Sequence, residues 1–450
     1  MSSPNIPQRG QWSTSLGFVL AALGSAVGIG NIWRFSYVVG ENGGGAFIVV
    51  YLLAVIGLGV PLLIAELAIG QRARANAVAA FEQISGAVPW RWTGWLGIVA
   101  GVTILSYYPV ITGWVARYGW IYLAEGLPNS GGAGFAAFFE GFIADPVQSV
   151  IWFGAVLAAA AVVVAAGVER GIERASRILM PVFVALVILL AGYGLSLPGA
   201  TRALAFMFAP DWNVLREPKT YLAAVGQAFF SIGLGMGILV TYGSYLPNNA
   251  RLPRAACVIA AGDTIIALIA GLMIFPAVFT LGLEPTHGPT LAFVVLPEVF
   301  AALPAGRWIA VAFFLLLLVA ALTSVIAMLE VPVSLVMEKW QWPRPAAVFV
   351  VAAVAFASGI PAALGFGVWR DVLPVSIPWL DLTDDFASTI VLPLSGIAIA
   401  LFAGWIWPMA DALQSSGLAS AQLRYIWIWL LRIVLPGIIA LVMVRGLGLI

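Results

Sequence analysis

The feature that most constrains this chain is a series of apolar runs, each long enough to cross a membrane, separated by short polar links. With 62% hydrophobic and only 9% charged residues, it lies far from soluble domains, in which about a quarter of residues are charged. About 20 apolar residues make one helical crossing. The sequence therefore predicts an all-α polytopic membrane protein with 11 transmembrane helices, at about residues 12–37, 44–70, 93–124, 147–168, 174–197, 219–246, 255–282, 305–338, 345–361, 386–408 and 424–447.

The first of these runs is interrupted in its middle by Gly24, Gly28, Gly30 and Asn31. Each glycine costs a helix roughly 1 kcal/mol relative to alanine. Backbone that leaves the helix inside lipid must find partners in protein, water or ligand, so a break is expected to face an interior site, as in transporters. A GxxxG packing face formed by Gly24 and Gly28 explains the same residues equally well.

A second interruption, SIGLGMG at residues 231–237, lies at the centre of another apolar run. Helix packing alone requires neither its additional Gly235 nor its polar Ser231. Two glycine-interrupted spans at corresponding places in two halves indicate an inverted-repeat transporter with the site between them. We expect one transmembrane domain over residues 1–450, with repeats at about 12–197 and 219–408 and a further helix at about 424–447.

Several other classes of protein do not fit this sequence. The net charge of +1 provides no basic field for nucleic acid. The single Cys257 permits no intramolecular disulfide, and the single His287 cannot build a metal site with it. An intramembrane enzyme needs a nucleophile with its base, and a channel needs repeated pore-lining rings. Neither pattern occurs, so we expect no enzyme activity.

Positive charges mark one face of the membrane. Alternate links carry arginine or lysine on one side of the membrane, whereas the opposite links are acidic or neutral, for example residues 125–145, which contain neither arginine nor lysine. By the positive-inside rule the basic links are cytoplasmic, which predicts a cytoplasmic N-terminus and, after 11 crossings, an extracytoplasmic C-terminus. The first residues lack the order of a cleaved signal peptide. The absence of an Asn-x-Ser/Thr sequon is compatible with the inner (plasma) membrane of a prokaryote, where we expect the protein to lie.

Polar residues inside the apolar runs are costly to bury and are therefore candidates for function. Asp263 follows Gly262 within a span, whereas Glu66, one turn from a helix end, is better explained as a helix cap or anchor. Thr323 and Ser324 suit a hard cation that prefers oxygen ligands, but hydroxyls can also bond back to their own helix. The residues leave both readings open.

The segments WSTSLGFVLAALGSAVGIGNIWRF, ENGGGAF, YYPVITGW, AVGQAFFSIGLGMG and AALTSVIAM resemble, in order and spacing, the signature segments of the neurotransmitter:sodium symporters. The likeness runs from Trp12 to the tenth helix. Within the family, the chain resembles the bacterial amino-acid transporters of the leucine-transporter type. This resemblance implies two inverted five-helix repeats with broken helices 1 and 6, and sodium-coupled symport of hydrophobic, large aliphatic or aromatic L-amino acids by alternating access.

The resemblance also implies a site for each ligand. The substrate carboxylate meets the amides of Gly28, Ile29 and Gly30 and the Tyr108 hydroxyl, and its amino group meets carbonyls of Ser25, Ala26, Phe230 and Ser231. Side-chain selectivity is assigned to Ile104, Phe230, Gly233, Met236, Ser324 and Met328. A first sodium is assigned to Ala26, Asn31, Ser231 and Asp263, and a second to Gly24, Val27, Ala320, Thr323 and Ser324.

Gates and partners complete these expectations. By resemblance, Arg34 with Asp385 forms the outer gate and Arg9 with Glu338 the inner one. Chloride is not expected. Tyr51, Gln227 and Ser231 match chloride ligands of animal members, but Ala267 replaces a hydroxyl, and Asp263 stands where those members carry asparagine. The expected partners are the amino acid, about two sodium ions and the lipid bilayer, with the chain a monomer or weak dimer.

Overall fold

In the computed structural model, which describes residues 10–126, 134–283, 291–372 and 377–449, the regular structure of those residues is entirely helical. The helices in chain order are α1 (Ser15–Ala26), α2 (Gly30–Glu41), α3 (Gly45–Ala73), α4 (Ala77–Ser85), α5 (Val88–Glu125), α6 (Gly134–Ala144), α7 (Pro146–Ala165), α8 (Val168–Leu195), α9 (Ala200–Phe208), α10 (Pro218–Ser231), α11 (Ile238–Ser244), α12 (Leu252–Thr280), α13 (Val295–Ala302), α14 (Gly306–Trp340), α15 (Arg344–Leu364), α16 (Trp379–Ile406), α17 (Met409–Ser415) and α18 (Ala421–Gly446).

Within the described residues, nine helices are long and apolar enough to cross a membrane: α3, α5, α7, α8, α12, α14, α15, α16 and α18. The pair α1 and α2, bent by 57° at its break, makes a tenth crossing if counted as one. Helices α10 and α11 flank the second interruption, and neither is long enough to cross alone. The all-α membrane fold is confirmed, while the total of 11 crossings and the division into repeats stay predictions.

Both expected breaks are present. Thr14 begins α1 by accepting the amide hydrogen of Gly17 (2.9 Å), a capping bond that satisfies an otherwise free donor. Between α10 and α11, Gly233, Gly235 and Gly237 have φ angles of 72°, 80° and 71°. A residue with a Cβ rarely adopts this left-handed conformation. The three glycines therefore allow the chain to leave and re-enter helical geometry within six residues.

Helix α14, which is 35 residues long, packs against α5, α8 and α1 and forms one wall around the breaks. Helix α16 begins at Trp379 rather than near residue 386, because Asp381, Asp384 and Asp385 in its first two turns hide the start of the helix from a hydropathy pattern. Short helices α4, α6 and α17 lie in links for which no crossing was expected.

Candidate substrate and ion site

The two breaks enclose a small cavity in the middle of the bundle, with a volume of about 40 Å³. Ile29 instead lines a larger outer cavity. All the other residues expected to bind substrate line the central one: Ser25, Ala26, Gly28, Gly30, Ile104, Tyr108, Phe230, Ser231, Gly233, Met236, Ser324 and Met328. Asn31 and Ile238 line it in addition. The structure thus brings the expected residues around one space, and their roles stay a prediction.

At the first break, backbone amides donate hydrogen bonds to side-chain oxygens. The amide of Gly28 donates to Asn31 Oδ1 (3.1 Å), and the amide of Ile29 donates to the Tyr108 hydroxyl (3.1 Å). A Cβ on Gly28 would lie 2.8 Å from that hydroxyl and 3.1 Å from Ser324 Oγ. Glycine at position 28 therefore lets the backbone approach Tyr108 closely enough for a shared ligand to touch both.

Asn31, Ser231 and Asp263, all expected at the first sodium site, form one buried cluster. Asn31 Nδ2 donates to Ser231 Oγ (2.8 Å) and Asp263 Oδ1 (2.7 Å), and Ser231 Oγ donates to Asp263 Oδ2 (2.7 Å). Asp263 is fully buried and forms no ion pair with any side chain of the described residues. Burying an unpaired carboxylate is costly, so a hard cation, which prefers such oxygen ligands, fits this cluster.

The residues expected at the second sodium site also converge. Thr323 Oγ1 lies 2.7 Å from the Gly24 carbonyl and 2.9 Å from the Ala320 carbonyl. Ser324 Oγ lies 3.4 Å from the Ser25 carbonyl. Val27 follows the last residue of α1 with extended backbone geometry and is fully buried. Oxygens from the first break and from α14 therefore meet, although the Thr323 hydroxyl also bonds back to its own helix.

Glu66 fixes the second break, a role that the sequence did not reveal. Its carboxylate, fully buried in α3, accepts the amide hydrogen of Gly235 (2.8 Å). Ser395 of α16 donates its hydroxyl hydrogen to the carbonyl of the same glycine (2.7 Å). Non-helical backbone within a membrane needs such partners. These two side chains therefore hold the middle of the interruption.

An outer cavity of about 300 Å³ opens above the central one and is lined in part by Arg34, Asp381 and Asp384. The guanidinium of Arg34 lies 4.3 Å from the centroid of the Phe230 ring, and Tyr107 donates its hydroxyl hydrogen to Asp384 Oδ1 (2.5 Å). Asp385, expected to pair with Arg34, is exposed and lies outside this lining. One residue along a helix rotates a side chain by about 100°, so Asp384 rather than Asp385 faces the cavity.

At the opposite end, Glu338 accepts hydrogen bonds from both the backbone and the side chain of Asn76, each 2.8 Å long. Its expected partner Arg9 lies outside the described residues, as does His287. The sequence did not point to Glu173, which accepts hydrogen bonds from Ser13 and Thr14 just before α1 and pairs with Arg177 (2.6 Å). This carboxylate holds the start of the first broken helix against α8.

Two interrupted helices around a central cavity define the class of protein as a polytopic membrane transporter. A sequence model of the Sodium:neurotransmitter symporter family matches residues 9–132 and 145–448. The chain therefore belongs to this family, whose members are transporters and not enzymes.

Individual relatives match over nearly the whole chain. It is 38% identical over 442 residues to the uncharacterized sodium-dependent transporter YhdH of Bacillus subtilis (strain 168), and the matched region covers 98% of each chain. It is 33% identical over 457 residues to an uncharacterized sodium-dependent transporter of Haemophilus influenzae, covering 98% of this chain and 99% of that one. The crystal structure of MhsT in complex with L-phenylalanine matches at 48% identity with a TM-score of 0.89, over 97% of this chain and 100% of that one.

Proposed function

We propose that this protein carries hydrophobic, large aliphatic or aromatic L-amino acids across the membrane together with sodium, by alternating access. The observation that carries the proposal is the central cavity, which joins the polar backbone of two breaks to an apolar wall of Ile104, Phe230, Met236 and Met328. Such a space matches a zwitterionic head and a hydrophobic side chain. The phenylalanine in the related MhsT structure supports the same substrate class.

In this proposal the substrate carboxylate takes over the donors of the first break. The amides of Gly28 and Ile29 now donate to Asn31 Oδ1 and the Tyr108 hydroxyl; with substrate bound they donate to the carboxylate instead, and the Tyr108 hydroxyl donates its own hydrogen to that carboxylate. The start of α2 adds the positive end of a helix dipole. The amino group meets the carbonyls of Ser25, Ala26, Phe230 and Ser231, which lie at helix ends where carbonyls lose their regular helical partners.

Two sodium ions travel with the substrate. The first binds among Ala26, Asn31, Ser231 and Asp263, beside the substrate carboxylate, which supplies a further oxygen. The second binds among Gly24, Val27, Ala320, Thr323 and Ser324 and links the first break to α14. Because both ions sit at helix interruptions, their binding favours one arrangement of α1 and α10 over another, which couples the ions to the conformational change.

We further propose that the protein is oriented with its N-terminus in the cytoplasm of a prokaryotic cell. The basic links between helices support this orientation. Helix α18 would then end outside the cell, and the outer cavity with Arg34 and Asp384 would face the extracytoplasmic side. The chain is expected to work as a monomer or weak dimer.

Large hydrophobic amino acids are expected to compete best for the central cavity. A Cβ placed on Gly233 would meet no atom within 4 Å, and Met236 beside it is flexible and polarizable, so one side of the cavity can yield to a large side chain. Tryptophan, tyrosine, phenylalanine and leucine should each displace labelled phenylalanine from the purified protein at lower concentration than alanine or glycine. The reverse order would rule out the proposed substrate class.

Arg34→Ala is expected to lower uptake at least about tenfold, the loss that corresponds to one hydrogen bond to a charged group, with little effect on thermal stability. One guanidinium nitrogen of Arg34 is buried without a hydrogen-bond partner in the described residues, so it is free to pair with Asp384 above a bound substrate. Arg202 is the matched control, because its guanidinium lies 4.4 Å from the centroid of the Phe279 ring outside either cavity.

Substituting two carboxylates of α16 distinguishes a gate formed by Arg34 and Asp384 from the pair of Arg34 and Asp385 that the sequence predicted. Asp384→Asn should reproduce the loss seen with Arg34→Ala, whereas Asp385→Asn should transport like the unmodified protein. Uptake that is normal in Arg34→Ala and Asp384→Asn, with both proteins folded, would show that these residues form no gate.

A further inference from the structure

Arg432 is half-buried in α18, with no acidic partner in the part of the chain that the structure describes. The neighbouring Ile433 is 57% exposed, and an apolar side chain exposed on a membrane-spanning helix is expected to contact lipid. Asp411, two residues after Met409, already forms an ion pair with Arg72 (3.0 Å) and accepts a hydrogen bond from the indole of Trp407 (2.7 Å). An arginine in a membrane span normally finds a counter-charge or reaches toward the headgroups.

The side chain of Arg432 is held in place rather than free to move. Its Nε donates to the Gly404 carbonyl (2.6 Å), and its guanidinium lies 4.9 Å from the centroid of Trp405 and 5.6 Å from that of Trp429. A Cβ on Gly404 would lie 2.9 Å from Arg432 Cγ, so glycine makes room for the arginine between α16 and α18. The terminal Nη2 has only the sulfur of Met409 at 4.0 Å.

This arrangement leaves the outer N–H groups of the guanidinium without an oxygen acceptor inside the described protein. The planar guanidinium matches two oxygens of a phosphate. Trp405 is 56% and Trp429 37% exposed, which is the placement expected of tryptophan at the level of the headgroups. Ile426 and Ile433, both exposed on the same helix, offer apolar contact to acyl chains rather than to a water-soluble anion.

We infer that Arg432, flanked by Trp405 and Trp429, binds the phosphate of one anionic phospholipid. Gly404 lies near the end of α16 opposite the outer cavity, so the lipid belongs to the inner leaflet in the orientation proposed above. The lipid bridges α16 and α18 at this end. A zwitterionic lipid such as phosphatidylcholine binds less tightly, because its ammonium is repelled by the arginine.

Native mass spectrometry of the delipidated full chain, titrated with phosphatidylglycerol, tests this site. Arg432→Met should weaken binding of the tightest phosphatidylglycerol by about tenfold, the loss that corresponds to one charge-assisted contact. Arg424→Gln is the matched control, since Arg424 lies on the same helix and also donates Nε to a carbonyl, that of Leu418 (2.7 Å), but has no flanking ring among the described residues. It should bind like the unmodified protein.

Binding measurements with a second variant, a zwitterionic lipid and a water-soluble phosphate complete this test. Arg432→Lys, which retains the charge and serves if Arg432→Met does not fold, should bind more weakly than arginine because it loses the two-pronged contact. Phosphatidylcholine should bind less tightly than phosphatidylglycerol, and glycerol phosphate should not displace the lipid. Equal binding by the arginine, lysine and methionine forms, or displacement by glycerol phosphate, would overturn the inference.

Discussion

Asp263→Asn is expected to weaken sodium-dependent binding of amino acid at least about tenfold. One compensating charge at about 4 Å contributes roughly 4 kcal/mol at an effective dielectric near 20, and even a third of that energy corresponds to a factor of ten. In the structure the Asp263 carboxylate receives hydrogen bonds from Asn31 and Ser231 but no ion pair from the described chain. A sodium ion would supply the missing positive charge.

The measurement is the sodium concentration needed for half-maximal binding of labelled phenylalanine to the purified variant. Asp411→Asn is a suitable control, because Asp411 is also a carboxylate but pairs with Arg72 away from both cavities. An unchanged sodium requirement in folded Asp263→Asn would show that this carboxylate contributes nothing to ion binding.

The same carboxylate is expected to make transport independent of chloride. Replacing chloride by gluconate should leave uptake by the unmodified protein unchanged, because the Asp263 carboxylate already supplies the negative charge that chloride would otherwise provide. The hydroxyls of Tyr51 and Thr264 have no hydrogen-bond partner in the described residues, so donors for an anion remain. Asp263→Asn combined with Ala267→Ser should therefore gain chloride dependence. A large loss of wild-type uptake in gluconate would contradict this account.

Glu66→Ala is expected to reduce transport roughly fivefold or more through the second break. The substitution leaves the amide of Gly235 buried without its acceptor, and an unpaired buried donor costs about 1–3 kcal/mol. Gly235 lies between Gly233 and Met236, which line the central cavity, so a shift of this segment changes the cavity itself. Substrate affinity should fall together with the rate of uptake.

Glu66→Gln separates the hydrogen bond from the charge. Its amide oxygen can still accept from Gly235, so this variant should retain most of the substrate affinity that Glu66→Ala loses. If both variants bind phenylalanine like the unmodified protein, Glu66 does not position the break. Equal loss in both would assign the effect to the charge instead of the hydrogen bond.

The sequence predicted the two breaks well because each depends on local chemistry. Glycines at 28, 233, 235 and 237 are required by close approach or by left-handed backbone, and this requirement is visible in the chain itself. The residues around the central cavity followed from the resemblance to a known family.

What the sequence did not reveal depends on contacts between distant helices. Glu66 is 169 positions from Gly235, whose amide hydrogen its carboxylate accepts, and no periodicity identifies that partner. The choice between Asp384 and Asp385 depends on where α16 begins, and its acidic first turns obscured that boundary. Glu173 similarly acts through Ser13 and Thr14, which are 160 and 159 residues away.

Uptake of labelled phenylalanine into proteoliposomes that contain only this protein tests the central claim most directly. With sodium outside and potassium inside, the label should accumulate above its external concentration, and an ionophore that abolishes the sodium gradient should release it. With potassium on both sides, uptake should fall to the level of protein-free vesicles. Accumulation that is equal with and without sodium would contradict sodium-coupled symport.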